Sequence, residues 1–233
     1  MTDTVDAVVE VRAALDPIPN VHAIRVDRPP GFEFRASQAV RLVLGNEARP
    51  FSIASGPERP YLDFATRRSD SEFKRAFFAL APGDSVRIVG PRGRFLLEED
   101  RPAVLVAGGI GITPLRSMLQ HAADARLGTP LTLVYANREP SEIAFRAEVE
   151  AWANEVPDLR VLHIVSQPDL GWKGRVGRVD TDLLAAGLAG RDGALFYVSG
   201  PPAFVQRVLE ATVPLAIERG RIRIELFRNY EEP

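Results

Sequence analysis

The sequence predicts two domains of different class. An antiparallel six-stranded β-barrel spans residues 1–99, and a doubly wound α/β domain with a parallel sheet spans residues 100–233. Three observations predict this. The first hundred residues hold six short runs rich in Val, Ile, Leu and Phe, separated by Pro- and Gly-containing turns. The rest alternates continuous apolar runs with helical patterns. The first of those later runs opens into a glycine-rich turn, "GGIGITP", just ahead of a helix.

The six barrel strands are read from "DAVVEVRAA", "VHAIRVDR", "AVRLVLG", "RPFSIAS", "YLDFATRR" and "DSVRIVG". "DPIPN", "RPPG", "SGPERP" and "APGD" supply the turns between them. One helix interrupts the strands over about residues 71–80, with Phe73, Phe77 and Leu80 at helical spacing. Beyond "LLEEDRP" come the strand-like runs "AVLVAGG", "LTLVYANR", "LRVLHIVS", "ALFYVSG" and "IRIELF", several of which lack polar alternation. Such strands are covered on both faces, as parallel strands are. The segments between them, among them "TPLRSMLQHAADA", "SEIAFRAEVEAWANE" and "PPAFVQRVLEATV", carry helical periodicity.

Composition narrows the function. The chain of 233 residues is 45% hydrophobic and 26% charged, with a formal net charge of −2. That balance gives no general attraction to nucleic acid or to an anionic membrane. No apolar run approaches the length of a bilayer span, the start "MTDTVDAVVEVR" is not a secretion signal, and a cytoplasmic location is expected. Cysteine is absent, which excludes disulfides, thiolate metal sites and cysteine-held clusters. The three histidines, His22, His121 and His163, are scattered, and a structural role is expected for each.

The glycine turn lies in the right context for a phosphate, since glycines admit close backbone approach and a helix start offers free N–H groups. Pro114 fits the first helical turn, and Thr113 reads as the N-cap. Two features depart from a dinucleotide fingerprint. Pro114 replaces the third glycine, and the next strand ends in Asn137 and Arg138 without an acid for the ribose hydroxyls. Taken alone, a purely structural turn competes with a nucleotide site.

Four motifs occur in fixed order: "RPFS" (49–52), "GPRGRF" (90–95), "GGIGITP" (108–114) and "YVSGPP" (197–202). With them the chain resembles the ferredoxin–NADP reductase family of flavin-dependent NAD(P)H reductases, over nearly its whole length. The resemblance implies a flavin-binding barrel followed by an NAD(P)-binding α/β domain, with FAD as the flavin and NADPH or NADH as the coenzyme. In the first motif it implies that Arg49 pairs with flavin phosphate, that Pro50 and Phe51 lie at the flavin, and that Ser52 hydrogen-bonds near N5. Ala65, Thr66 and Arg67 would line the pyrophosphate, with Ser71, Phe73 and Lys74 at the helix start beside them. Such a segment favours FAD over FMN.

In the second domain the resemblance implies that Gly109, Gly111 and Thr113 meet the nicotinamide and diphosphate. Ser199 stands where the family carries a cysteine near the nicotinamide, and Gly200 and Pro201 form the turn beneath the cofactor. Glu225 and Phe227 match the family's acidic and aromatic ending, with core packing an equal alternative for Phe227. Tyr230 is a second candidate to cover the flavin. Ser52, Ser199 and Glu225 are thus the expected catalytic group. Arg138, Ser166 and Arg175 are the candidates for a 2′-phosphate, which inclines the coenzyme toward NADPH.

The implied activity is hydride uptake from NAD(P)H and delivery of electrons to a separate carrier such as ferredoxin or flavodoxin. Arg67, Arg68, Lys74, Arg92 and Arg94 would offer that carrier a basic rim. Reduction of free flavin or another small acceptor is the alternative within the enzymes. A non-catalytic nucleotide-binding subunit is the alternative outside them.

Overall fold

A computed structural model describes residues 4–227. The first sheet has six antiparallel strands: β1 (Val5–Ala14), β2 (Val21–Asp27), β3 (Ala39–Leu44), β4 (Glu47–Ser52), β5 (Tyr61–Arg67) and β6 (Ser85–Arg92), in the order β4-β3-β6-β1-β2-β5. Alternation explains why these segments curl around one core. Val40 and Leu42 point inward while Arg41 is exposed, and Val86 and Ile88 point inward while Arg87 is exposed. The edge strands β4 and β5 share no ladder. Their gap is bridged by the Ala54 N–H donating to the Asp63 carbonyl (2.8 Å) and the Asp63 N–H donating to Ser55 Oγ (3.1 Å). The sheet is thus an open barrel, sealed by the loop after β4. Helix α1 (Glu72–Phe78) plugs it, with Phe73 and Phe77 in the same core as Phe64, Leu62 and Ile88.

The second sheet is wholly parallel: β7 (Ala103–Gly108), β8 (Leu131–Asn137), β9 (Leu159–Val165), β10 (Arg175–Val176), β11 (Leu195–Gly200) and β12 (Ile222–Leu226), in the order β10-β9-β8-β7-β11-β12. Helices α2 (Ile112–Asp124) and α3 (Arg146–Glu155) cover one face, packing Leu115, Met118 and Trp152 on Leu105, Leu133 and Tyr197. Helices α4 (Thr181–Leu188) and α5 (Pro202–Thr212) cover the other, packing Leu183, Leu184 and Val208 on Val104, Val134 and Phe196. Chain order reverses between β7 and β11, and the crevice above that point is where open α/β sheets bind ligands.

Several expectations are corrected here. Thr113 does not cap α2. Residues 109–111 form one 3-10 turn that runs straight into the helix from Ile112, so Thr113 is its second residue and donates to the Ile110 carbonyl at 3.2 Å. Helix α3 starts at Arg146, because Phe145 takes a positive φ of 58° and buries its ring. Tertiary packing there overrides a helical sequence pattern. The two-residue strand β10 carries too little pattern to be read from sequence. His22 is structural as expected: its ring lies 2.5 Å from Asp16 Oδ1 and 3.1 Å from the Leu80 carbonyl, tying down the end of α1's segment. No helix among the described residues is long and apolar enough to cross a membrane.

Candidate active site

The two sheets meet along one face of α2, and the contact is polar. Arg116 donates to the Ala54 carbonyl (2.8 Å), Ser117 Oγ to the Ser55 carbonyl (2.7 Å), and Gln120 Oε1 accepts from the Gly56 N–H (2.8 Å). Further along, Asp124 pairs with Arg59 at 2.5 Å. His121 also belongs to this seam, bridging Glu58 (2.6 Å) and Glu99 (3.2 Å). The loop that follows the 49–52 motif is therefore stitched to the helix that starts at the glycine turn. Arg116 is 1% exposed. It reaches Asp63 Oδ2 (3.2 Å) and Glu148 (2.6 Å) and lies over the Phe145 ring at 4.6 Å. Asp63, also 1% exposed, is held on its other side by Arg25 at 2.8 and 3.0 Å. Sequence reasoning missed both. Their signal was a charge on an apolar helix face and an acid within a hydrophobic strand.

The β11 strand faces the first domain through its odd-numbered residues. The Tyr197 hydroxyl donates to the Leu96 carbonyl (3.0 Å) and accepts from the Glu98 N–H (2.9 Å), with Phe95 edge-on to the ring at 5.5 Å. Ser199 is two residues further, on the same face, and lies beside Glu225 in the β11–β12 register. Two of the three expected catalytic residues are thus neighbours. The Ser199 hydroxyl is fully buried without a hydrogen-bond partner, an orphaned polar atom at the mouth of the crevice. Burial pushes the Glu225 carboxyl above its ordinary range. The third, Ser52, is buried at the end of β4 on the barrel side. The Phe227 N–H donates to the Gly200 carbonyl at 3.0 Å, so the residue that follows β12 is tied to the same turn. Tyr230 lies outside the described residues.

The glycine turn splits into two roles. Gly109 has φ +54°, and a Cβ placed there would meet only Arg67 Nη2, at 3.9 Å. Apart from that nitrogen, the Cβ side of Gly109 is open. Gly111 is the opposite case, since a Cβ there would lie 2.4 Å from the Ser199 carbonyl oxygen. That glycine is required by the crossing of α2 over β11. Gly200 likewise leaves room for Phe204, whose ring would be 2.7 Å from a Cβ. Pro201 is exposed at the head of α5.

On the barrel side, Arg49 pairs with Glu47, and its guanidinium lies over the Phe73 ring at 5.8 Å. Pro50 beside it is exposed. Phe51 is half-buried and stacks on Phe77 at 5.0 Å. Ser71 caps α1 by accepting from the Lys74 N–H at 3.3 Å. The expectation that Phe73 touches a cofactor is not matched: it is 3% exposed in the barrel core and serves as a platform under Arg49. Ala65 and Thr66 are buried at the end of β5. Arg67 turns away from them toward the second domain, lying against Gly109 and pairing with Glu142 at 3.4 Å.

The three 2′-phosphate candidates stand at the ends of adjacent strands: Arg138 follows β8, Ser166 follows β9, and Arg175 opens β10 opposite Ile164 of β9. Arg138 donates to Gln167 Oε1 (2.9 Å), and Ser166 is exposed at the end of β9. Arg175 lines a cleft of about 570 Å³ together with Pro140, Arg146, His163, Trp172 and Lys173. Arg146 lies over the Trp172 ring at 5.5 Å, and burial holds the His163 imidazole below its usual range. Among the described residues no cluster of His, Asp or Glu could hold a metal ion.

The residues present fit a dinucleotide chain. The crevice offers an open positive-φ glycine beside an arginine and an unpartnered hydroxyl beside a half-buried carboxyl, and the second domain adds a cleft lined by Trp172, Arg146, Lys173, Arg175 and Asp169.

Comparison with known proteins agrees. Residues 105–210 match the model of the oxidoreductase NAD-binding domain. Over 225 residues the chain is 32% identical to ferredoxin–NADP reductase B of Sorangium cellulosum, covering 90% of this chain and 92% of that one. It is 28% identical over 172 residues to an NADH-cytochrome b5 reductase-like protein of Arabidopsis thaliana, covering 71% of this chain but only 52% of that one. The fold superposes on an Amycolatopsis cytochrome P450 reductase with a TM-score of 0.83 at 25% identity, over 97% of this chain and 71% of that one.

Proposed function

The chain belongs to the ferredoxin–NADP reductase family, and from that premise we propose that it takes hydride from NAD(P)H onto FAD and passes electrons singly to a separate carrier of the ferredoxin or flavodoxin type. It is a flavin-dependent NAD(P)H reductase. The match to the S. cellulosum reductase, over nine tenths of both chains, carries the choice of carrier. No cysteine occurs in the sequence to hold an iron–sulfur cluster, and Arg68, Arg92 and Arg94 are exposed for an acidic partner. The test is saturable reduction of ferredoxin or flavodoxin, against unsaturated turnover with added free flavin.

When bound, the flavin supplies the hydride acceptor and the one-electron steps. The protein's own work is orientation. Arg49 and the capped start of α1 hold the flavin's phosphates, and Ser52 orients its reactive edge. Gly109 and the head of α2 receive the coenzyme diphosphate. Ser199 and Glu225 would meet the nicotinamide edge, where the half-buried carboxyl holds its proton to higher pH than an exposed one. The seam from Arg116 to Asp124 fixes the distance between the two halves, and positioning of this kind supplies several kcal/mol of a barrier reduction.

Replacing Arg49 with alanine is expected to weaken FAD binding by about ten- to a hundredfold, the loss of one charge-assisted phosphate contact worth roughly 1.5–3 kcal/mol. Titration of the apoprotein with FAD measures it, and an unchanged affinity removes Arg49 from the site. Glu225→Gln separates stability from catalysis. A carboxyl whose pKa is raised by burial stabilises the fold only while protonated, and that contribution is lost as pH rises through the folded-state value. Glutamine removes the ionisation, so the melting temperature should rise at neutral pH, and the gain should fade in acid. Flavin reduction should slow in the same variant. A variant less stable at neutral pH, or as fast as the wild type, contradicts the assignment.

For the coenzyme, the absence of an acid at the end of β8 and the presence of Arg175 in the cleft favour NADPH. The cleft with Trp172 takes the adenosine end. Arg175→Ala is expected to lower kcat/KM for NADPH more than for NADH. An unchanged ratio, or a wild type that prefers NADH, rules out this pocket.

A further inference from the structure

Arg67 and Glu142 come from different domains and meet at the glycine turn. Arg67 ends β5 of the barrel, and Glu142 ends the 3-10 turn Pro140–Glu142 that follows β8. Both guanidinium nitrogens address one carboxylate oxygen, Nη1 at 3.4 Å and Nη2 at 3.5 Å. The side chains are 34% and 20% exposed. Nη2 is also the atom a Cβ on Gly109 would approach, at 3.9 Å. The cation therefore borders the otherwise open Cβ side of that glycine.

We propose that Glu142 tunes coenzyme affinity by competing with the coenzyme diphosphate for Arg67. The inference rests on the reading of Gly109–Gly111 as the diphosphate turn. The contact is long and engages one oxygen, whereas close charge-assisted pairs lie near 2.7–2.9 Å and arginine favours two-oxygen acceptors. A diphosphate offers several oxygens and more than one negative charge to the same fork, so it wins the exchange. The acid thus trades affinity for faster release, and it acts on the diphosphate common to both coenzymes.

The test measures binding of the oxidised coenzymes, NAD+ and NADP+, to the FAD-loaded protein by calorimetry, so that no turnover is involved. Glu142→Gln keeps the shape of a half-buried side chain and removes its charge. It should tighten both coenzymes by about three- to tenfold, in the range of a partly buried ion pair. Arg67→Ala should weaken both, and adding Glu142→Gln to it should change affinity by less than about twofold, the mark of coupling through Arg67. Weaker or unchanged binding in Glu142→Gln overturns the proposal. So does a gain confined to one coenzyme, or a gain of the same size without Arg67. A wild type that binds neither coenzyme overturns the reading of the turn as well. A wild type that binds both, with Glu142→Gln unchanged, overturns the proposal alone.

Discussion

Gly111→Val is expected to abolish flavin reduction by NADPH and NADH while FAD stays bound, and to lower stability as well. The cause is steric. A Cβ at this position lies 2.4 Å from the Ser199 carbonyl oxygen, 2.7 Å from its carbon and 2.8 Å from Gly200 Cα. All three are backbone atoms in the fully buried strand β11, so no side chain can yield. Relief requires α2 to lift from the strand, which displaces Gly109 and Ser199 together. Overpacking of this kind costs about 1–3 kcal/mol or more. Gly109→Ala is the control. It meets a positive φ worth roughly 1–2 kcal/mol of strain but no clash, so the fold should survive with weakened coenzyme binding. Thermal melts and stopped-flow reduction distinguish the two. A Gly111→Val protein that melts and reduces like the wild type contradicts the crossing described.

Asp63→Ala should be the most destabilising single change outside the turn. The carboxylate is 1% exposed and lies between Arg116 and Arg25. Its removal leaves the Arg116 charge buried in the seam with Glu148, itself 44% exposed, as its one acidic partner. Breaking a buried pair by removing one partner costs about 3–5 kcal/mol. For a chain of this size that corresponds to a fall of roughly 6–20 °C in melting temperature. Adding Arg116→Met should recover part of the loss, because the stranded charge is then gone. A fall of less than about 2 °C in Asp63→Ala would show that the seam does not depend on this pair.

These two sites show what the sequence could convey. Strand alternation, Pro/Gly turns and the switch from period-two to continuous apolar runs are local signals, and they carried both sheets. Ser71 was legible as a cap because capping is settled within four residues. The reasons behind other residues were not local. Gly111 reads as room for a ligand, yet it is β11, almost ninety residues away in the chain, that requires it. Arg67 reads as part of the flavin segment because it ends β5, but its fork is turned by Glu142 in the other domain. Phe73 reads as a cofactor neighbour because it lies beside Ser71 at the helix start, and only the closing of α1 onto the barrel assigns it to the core. Arg116 and Asp63 carry no motif at all. Their pairing exists only once the seam has formed.

The most direct test of the account is the visible spectrum of the purified protein, recorded without oxygen before and after NADPH or NADH is added. The account predicts a yellow protein with an oxidised-flavin spectrum that bleaches when either coenzyme is added. A colourless protein that takes up no FAD, or a yellow one that neither coenzyme bleaches, would contradict it.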